Sequence, residues 1–205
     1  MTASQQALLL IDLQNDFCPG GALAVREGDE VIAVANQYAA EFRLRGQPVV
    51  ATLDWHPANH GSFASNAGQP VGSTGTLAGL PQIWWPDHCI QESVGAAFYP
   101  SLMQQPISHI VRKGQNPQVD SYSAFFDNGR LKQTGLDDWL KARGITSLTI
   151  MGLATDYCVR YSVLDALALG YAVTVIKAGC RGVELRQGDG ESALEAMAAG
   201  GAIIQ

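Results

Sequence analysis

Cys158 follows the apolar run Ser147 to Leu153 and opens the helical pattern Tyr157 to Leu169. Backbone N–H groups at a helix start favour a thiolate and bring a cysteine pKa from about 8.5 into a range of about 3.5 to 7.5, so the sequence predicts a nucleophile ionised near neutrality. The same amides face a reacting carbonyl as oxyanion donors. Asp12 lies toward the end of another apolar run, Ala7 to Leu13. A buried strand delivers that acid into low dielectric, where its pKa rises toward the range proton transfer needs. Lys113 closes a third run, Ile107 to Arg112, and beside a thiolate and a carboxylate it is a fixed positive charge. A second constellation gathers around His56, which stands two places after Asp54. Residues two apart in an extended segment point the same way. With His88 arriving from the turn Trp85-Pro-Asp-His88, the set suits one divalent ion, Zn, Fe or Mn, and leaves coordination positions for water and substrate. His60 is either a fourth ligand or a neighbour. His109 reads as a packed strand histidine, and Cys18, Cys89 and Cys180 read as small buried hydrophobes.

Side chains from such distant stretches meet only if the fold brings the ends of those stretches together. Ala7 to Leu13 is apolar on both faces, as in a central parallel strand. A helix from Gly28-Asp29 to Arg45, closed by Gly46, leads to a second strand at Pro48 to Leu53, completing one βαβ unit. Strand three is expected at Ile107 to Arg112, a helix at Leu136 to Arg143, strand four at Ser147 to Leu153, a helix at Tyr157 to Leu169, strand five at Tyr171 to Ile176, a helix at Glu191 to Ala199 and a last strand at Ala202 to Ile204. This alternation predicts a doubly wound α/β sheet with right-handed connections. Ligands bind beyond the carboxyl ends of such strands, which is where Asp12, Asp54, Lys113 and the approach to Cys158 fall. From Pro57 to Pro106 periodicity dissolves into Gly, Pro, Ser and aromatic residues. We expect a metal and substrate insertion without regular structure, around 54–106, inside one domain over 1–205.

Composition narrows the partners. The chain has 205 residues, 47% of them hydrophobic, with 13 Lys plus Arg against 19 Asp plus Glu and a formal charge of −6. That supports a substantial core and offers no cationic excess for nucleic acid or anionic lipid. Met1 to Gln6 carries no Lys or Arg, and no apolar run approaches the roughly eighteen residues a bilayer requires, so a soluble, cytoplasmic protein is expected. Four cysteines without a Cys-x-x-Cys pair make neither a disulfide scaffold nor a structural zinc site. The absence of Gly-x-Gly-x-x-Gly and Walker A loops speaks against dinucleotide and NTP binding.

The motifs Leu9-Leu-Ile-Asp12-Leu-Gln-Asn-Asp16-Phe17, Asp54-Trp-His56-Pro-Ala-Asn-His60, Trp85-Pro-Asp-His88-Cys, Arg112-Lys113-Gly and Gly152-Leu-Ala-Thr-Asp-Tyr-Cys158-Val run in order through nearly the whole chain. Together they resemble the nicotinamidase (pyrazinamidase) branch of the isochorismatase-like cysteine hydrolases. The resemblance implies a six-stranded parallel sheet with helices on both faces, a triad of Asp12, Lys113 and Cys158, and a divalent metal held by Asp54, His56 and His88, with His60 as a further candidate ligand. It also implies a cis peptide between Leu153 and Ala154, with the amides of Ala154 and Cys158 as oxyanion hole. Phe17 and Trp85 are expected to sandwich a flat ring, with Tyr122 and Leu153 completing the substrate contacts. The implied reaction is hydrolysis of nicotinamide, and of pyrazinamide, through a thioester. Rival readings are another small-amide hydrolase of the same superfamily and a metal-dependent ligand-binding module without turnover. Metal identity and oligomeric state are left open.

Overall fold

A computed structural model describes residues 5–205; the uncharged start Met1 to Ser4 lies outside the described residues. The first strand, β1 (Gln6–Ile11), is buried at every position after Gln6. It pairs in parallel with β2 (Val49–Asp54), which is buried throughout. Between them, helix α1 (Val31–Leu44) buries Val31, Ile32, Ala35, Ala39 and Phe42, a stripe at helical spacing that packs against β1 and β2. Its entry through Gly28–Glu30 is a tight 3₁₀ turn rather than the first turn of the helix itself.

The insertion is not free of regular structure. It carries a short helix α2 (Ala64–Ala67) and an antiparallel hairpin of β3 (Thr74–Leu77) and β4 (Leu80–Ile83). The hairpin escapes a periodicity search because nearly all its side chains are exposed or half-buried, so no apolar face marks it.

The chain then rejoins the sheet as β5 (Ile107–Lys113) and continues through α3 (Leu136–Lys141), β6 (Ser147–Leu153), α4 (Arg160–Ala168), β7 (Ala172–Arg181), α5 (Asp189–Ala199) and β8 (Ile203–Ile204). The six-stranded sheet has the order β5-β2-β1-β6-β7-β8, every pair parallel, with the helices flanking it. Strand β7 runs on to Arg181, beyond the expected end at Ile176. A register irregularity opposite Ile150 to Gly152 turns Lys177 and Ala178 outward and then returns Cys180 to the ladder.

Chain direction across the sheet reverses between β1 and β6, which are neighbours although widely separated in sequence. A crevice opens at the carboxyl ends of strands at such a switch point. There Ile11 pairs with Gly152, so Asp12 emerges beside Leu153, while Asp54 pairs with Lys113 one strand over. Gly152 permits this approach: at φ +139°, a Cβ there would stand 2.2 Å from the Ile11 carbonyl oxygen. Among the described residues no helix is long and apolar enough to cross a membrane.

Candidate active site

Lys113 is the hub of the crevice. Its side chain is completely buried, and its ammonium lies 2.8 Å from Asp12 Oδ2, 3.0 Å from Asp54 Oδ1, 3.1 Å from the Ser121 carbonyl oxygen and 3.3 Å from Cys158 Sγ. Burial alone would discharge this lysine, but Asp12, Asp54 and Cys158 hold its pKa well above the ordinary value. Asp12 is fully buried, and that burial raises its carboxyl pKa even against the pull of Lys113. The sequence expectation of a basic carboxylate therefore has its physical cause.

Asp12 is held by a residue that sequence reasoning passed over. The Thr52 hydroxyl donates to Asp12 Oδ1 and accepts from the Asp12 backbone N–H at 3.0 Å, fixing a residue whose φ is +50°. Thr52 stands two before Asp54 on β2, so strand alternation puts both on one face, a signal available in the sequence.

Cys158 differs from expectation in two respects. It sits in a wide π-type turn, Thr155–Val159, that precedes α4, rather than in the first turn of an α-helix. Burial pushes its thiol well above the usual range, with Lys113 opposing and Asp12 and Asp54 reinforcing the rise. The Lys113 ammonium donates to Cys158 Sγ, while burial and the neighbouring carboxylates favour the thiol over the thiolate. The peptide joining Leu153 to Ala154 is cis.

The histidines converge on the other side of Asp54. His56 Nε2 and His88 Nε2 stand 3.0 and 3.3 Å from Asp54 Oδ2. Their Nδ1–H groups donate to the Gly114 and Pro86 carbonyl oxygens, at 2.8 and 2.7 Å, so each ring turns Nε2 toward Asp54 as the atom that would ligate an ion. Asp54 is kept ionised: burial would raise its pKa, but His56 and Lys113 hold it well below the ordinary carboxylate value. Gln14, fully buried, aligns it by accepting from the Asp54 N–H and donating to the Asp54 carbonyl oxygen, both at 2.8 Å. Two imidazole nitrogens and a carboxylate oxygen within 4.8 Å of one another form a donor set that fits a divalent metal. Gly114 makes room for it, since a Cβ there would lie 2.4 Å from His56 Cε1. His60 joins the cluster with its ring centroid 4.3 Å from that of His56, and burial lowers its pKa to about 4, leaving it neutral.

A cavity beside Cys158 is lined by Phe17, Trp85 and Tyr122, three of the four residues expected at the substrate, and also by Leu23, Asp54, His88, Asp120, Ala154, Tyr157 and Val183. Trp85 Nε1 donates to the Tyr122 hydroxyl at 3.1 Å, and the Trp85 and Tyr157 rings meet edge to face at 4.9 Å. Leu153 does not line this cavity; its side chain is buried in the core. Leu23, Asp120 and Val183 were not legible as pocket residues, because separate loops deliver them, whereas Tyr157 could have been found as the neighbour of Cys158 in the same turn. A larger groove, about 660 Å³, lies at the opposite end of the strands between Gln6, Arg43, Pro48 and Trp139, far from every group above. His109 stacks on Trp139 near that end, 4.5 Å between ring centroids. Cys18, Cys89 and Cys180 are buried and unpaired.

Comparison with known proteins agrees with this geometry. The family described as the isochorismatase domain matches residues 6–205. The nicotinamidase of Escherichia coli is 57% identical over 97% of this chain and 93% of its own length. A nicotinamidase/pyrazinamidase structure from Acinetobacter baumannii superimposes with a TM-score of 0.93, 40% identity and coverage of 100% of this chain and 97% of that one. A pyrazinamidase from Pyrococcus horikoshii in complex with zinc gives 0.81, 37% identity and coverage of 98% of both chains.

Proposed function

The chain belongs to the isochorismatase domain family, and from that premise we propose that it is a metal-containing cysteine amidohydrolase converting nicotinamide to nicotinate and ammonia, and pyrazinamide to pyrazinoate, through a thioester. The observation that carries this reading is the Lys113 ammonium, within 3.3 Å of Asp12, Cys158 and Asp54 alike, so that base, nucleophile and metal ligands occupy one buried site.

Phe17 and Trp85 hold the substrate ring in the cavity, with its carboxamide carbon beside Cys158 Sγ. Asp54, His56 and His88 would hold a divalent ion, which when bound would supply a Lewis acid at the ring; zinc, iron and manganese all suit these ligands. Asp12 accepts the thiol proton as sulfur attacks the carboxamide carbon. The tetrahedral oxyanion rests on the amides of Ala154 and Cys158, and Asp12 returns the proton to the departing nitrogen, which leaves as ammonia. A water molecule deprotonated by Asp12 then cleaves the thioester, releasing nicotinate and restoring the thiol. Lys113 balances the negative charge whether it sits on oxygen or on sulfur. Four reduced cysteines suit a cytoplasmic setting for this chemistry.

The test is ammonia release from nicotinamide by protein stripped with a chelator and reloaded with zinc, iron or manganese, with Cys158→Ala in parallel. The reloaded parent turns over. The variant loses at least about 10³-fold in kcat while retaining its metal. Ammonia at the parent rate from Cys158→Ala would overturn the mechanism, and metal and nicotinamide binding without ammonia from the parent would favour a binding module.

A further inference from the structure

Among the described residues, those able to ligate an ion form two overlapping groups: Asp54, His56 and His88, and His56, His60 and Asp120, with the donor atoms of each group within 4.8 Å of one another. His56 belongs to both. Its Nδ1–H is committed to the Gly114 carbonyl, so the one lone pair left, on Nε2, serves a single ion. The second group is therefore not an independent centre.

Hydrogen bonding shows what the second group does instead. The Ser62 backbone N–H donates to His60 Nδ1 at 3.1 Å, and the Ser62 hydroxyl lies 2.7 Å from the same nitrogen. An amide always brings its hydrogen, so Nδ1 holds the lone pair and the proton of the neutral ring sits on Nε2. This is the opposite tautomer to that of His56 and His88, whose Nδ1 atoms donate. His60 Nε2 is buried and, among the described residues, has no hydrogen-bond partner.

Asp120 is the matching acceptor. It is buried, its Oδ1 accepts from the Ser121 N–H at 2.8 Å and its Oδ2 from Gln82 Nε2 at 2.9 Å, which leaves lone pairs on both oxygens. A buried donor without a partner and a buried acceptor with capacity to spare, close to each other but not bonded directly, make a place that water spans.

We propose, resting on the metal-dependent reading above, that His60 and Asp120 bind the water shell of the ion rather than the ion itself. Asp120 is then a positioning residue, held by Gln82 of the β3–β4 hairpin, that orients the face of the centre through which the ring nitrogen enters. This gives the insertion a role in substrate capture and separates His60 from His56 and His88 in function.

The experiment is zinc-edge X-ray absorption on the zinc-loaded parent, with His60→Gln, His88→Gln and Asp120→Asn compared for zinc affinity by chelator competition. Gln at position 60 keeps a donor near the Nε2 position but is a poor zinc ligand. The parent should show two imidazoles on zinc. His60→Gln should keep both and weaken zinc by about 10- to 100-fold at most, whereas His88→Gln should lose one imidazole and fail to retain the metal. Asp120→Asn should raise the KM for nicotinamide by about tenfold with a smaller change in kcat. Three imidazoles in the parent, or zinc loss in His60→Gln as complete as in His88→Gln, would overturn the outer role of His60. An unchanged KM in Asp120→Asn would overturn the positioning role. The metal readouts need no turnover, so a parent with two imidazoles that released no ammonia would sink the amidase reading and leave the water shell standing.

Discussion

Replacing Thr52 by Val tests the least visible part of the site. The substitution keeps the branched shape but removes the hydroxyl that donates to Asp12 Oδ1 and accepts from the Asp12 N–H. A hydrogen bond to a charged group contributes about 1.5–3 kcal/mol, and an orphaned buried N–H costs about 1–3 kcal/mol. Asp12 is fully buried, so no water replaces the lost partner. We expect urea denaturation to report a loss of about 2–4 kcal/mol, partial relaxation absorbing the remainder. The catalytic effect has a definite sign. The Thr52 hydroxyl bond lowers the Asp12 pKa against the effect of burial, so its removal favours the protonated acid, which cannot accept the thiol proton. The acid limb of kcat/KM for ammonia release should move to higher pH, and at a fixed pH on that limb the rate should fall about 10- to 100-fold. Thr52→Ser, which retains the hydroxyl, should restore the limb. An acid limb at the parent position in Thr52→Val, with kcat within a factor of about two, would refute the role assigned to this hydroxyl.

Gly114→Ala, which sets a Cβ against His56 at a residue with φ +71°, should leave much less than stoichiometric zinc after dialysis, read by atomic emission. Trp85→Leu removes a cavity wall and should raise the KM for nicotinamide about tenfold, with kcat changed less, consistent with about 1.5–3 kcal/mol of ring contact. Asp156→Asn leaves one acceptor for the two N–H groups of Val183 and Glu184, which now bond to separate carboxylate oxygens. It should lower stability by about 1–3 kcal/mol in urea denaturation and loosen the loop that brings Val183 to the cavity.

The legible part of the fold was the part with periodicity. β1 and β2 are apolar on both faces because both are central, and a strand buried on both faces declares its carboxyl end by its first charged residue. Asp12 and Asp54 were found that way. The β3–β4 hairpin was missed because its side chains do not divide into an inner and an outer face, and β7 was cut short because Lys177 and Ala178 turn outward at the irregular stretch. At the site, residue type and spacing singled out side chains that the fold brings together, but not their surroundings. Cys158 reads in the sequence as a helix-start thiolate, whereas the fold sets it in a wide π-type turn where burial raises the thiol pKa. Thr52 holds the Asp12 carboxylate and Gln14 the Asp54 backbone, and a role of that kind becomes visible only when both partners are placed in space.

The shared lysine makes the two halves of the site inseparable for a protein engineer. Any change that alters the charge of Asp54 redistributes the ammonium's allegiance toward Asp12, and the reverse holds equally, because one cation touches both. Neither the Asp12 and Cys158 half nor the Asp54 and histidine half is a portable module. Successful variants at one carboxylate will need compensating variants at the other, and libraries that randomise the two positions separately will miss them.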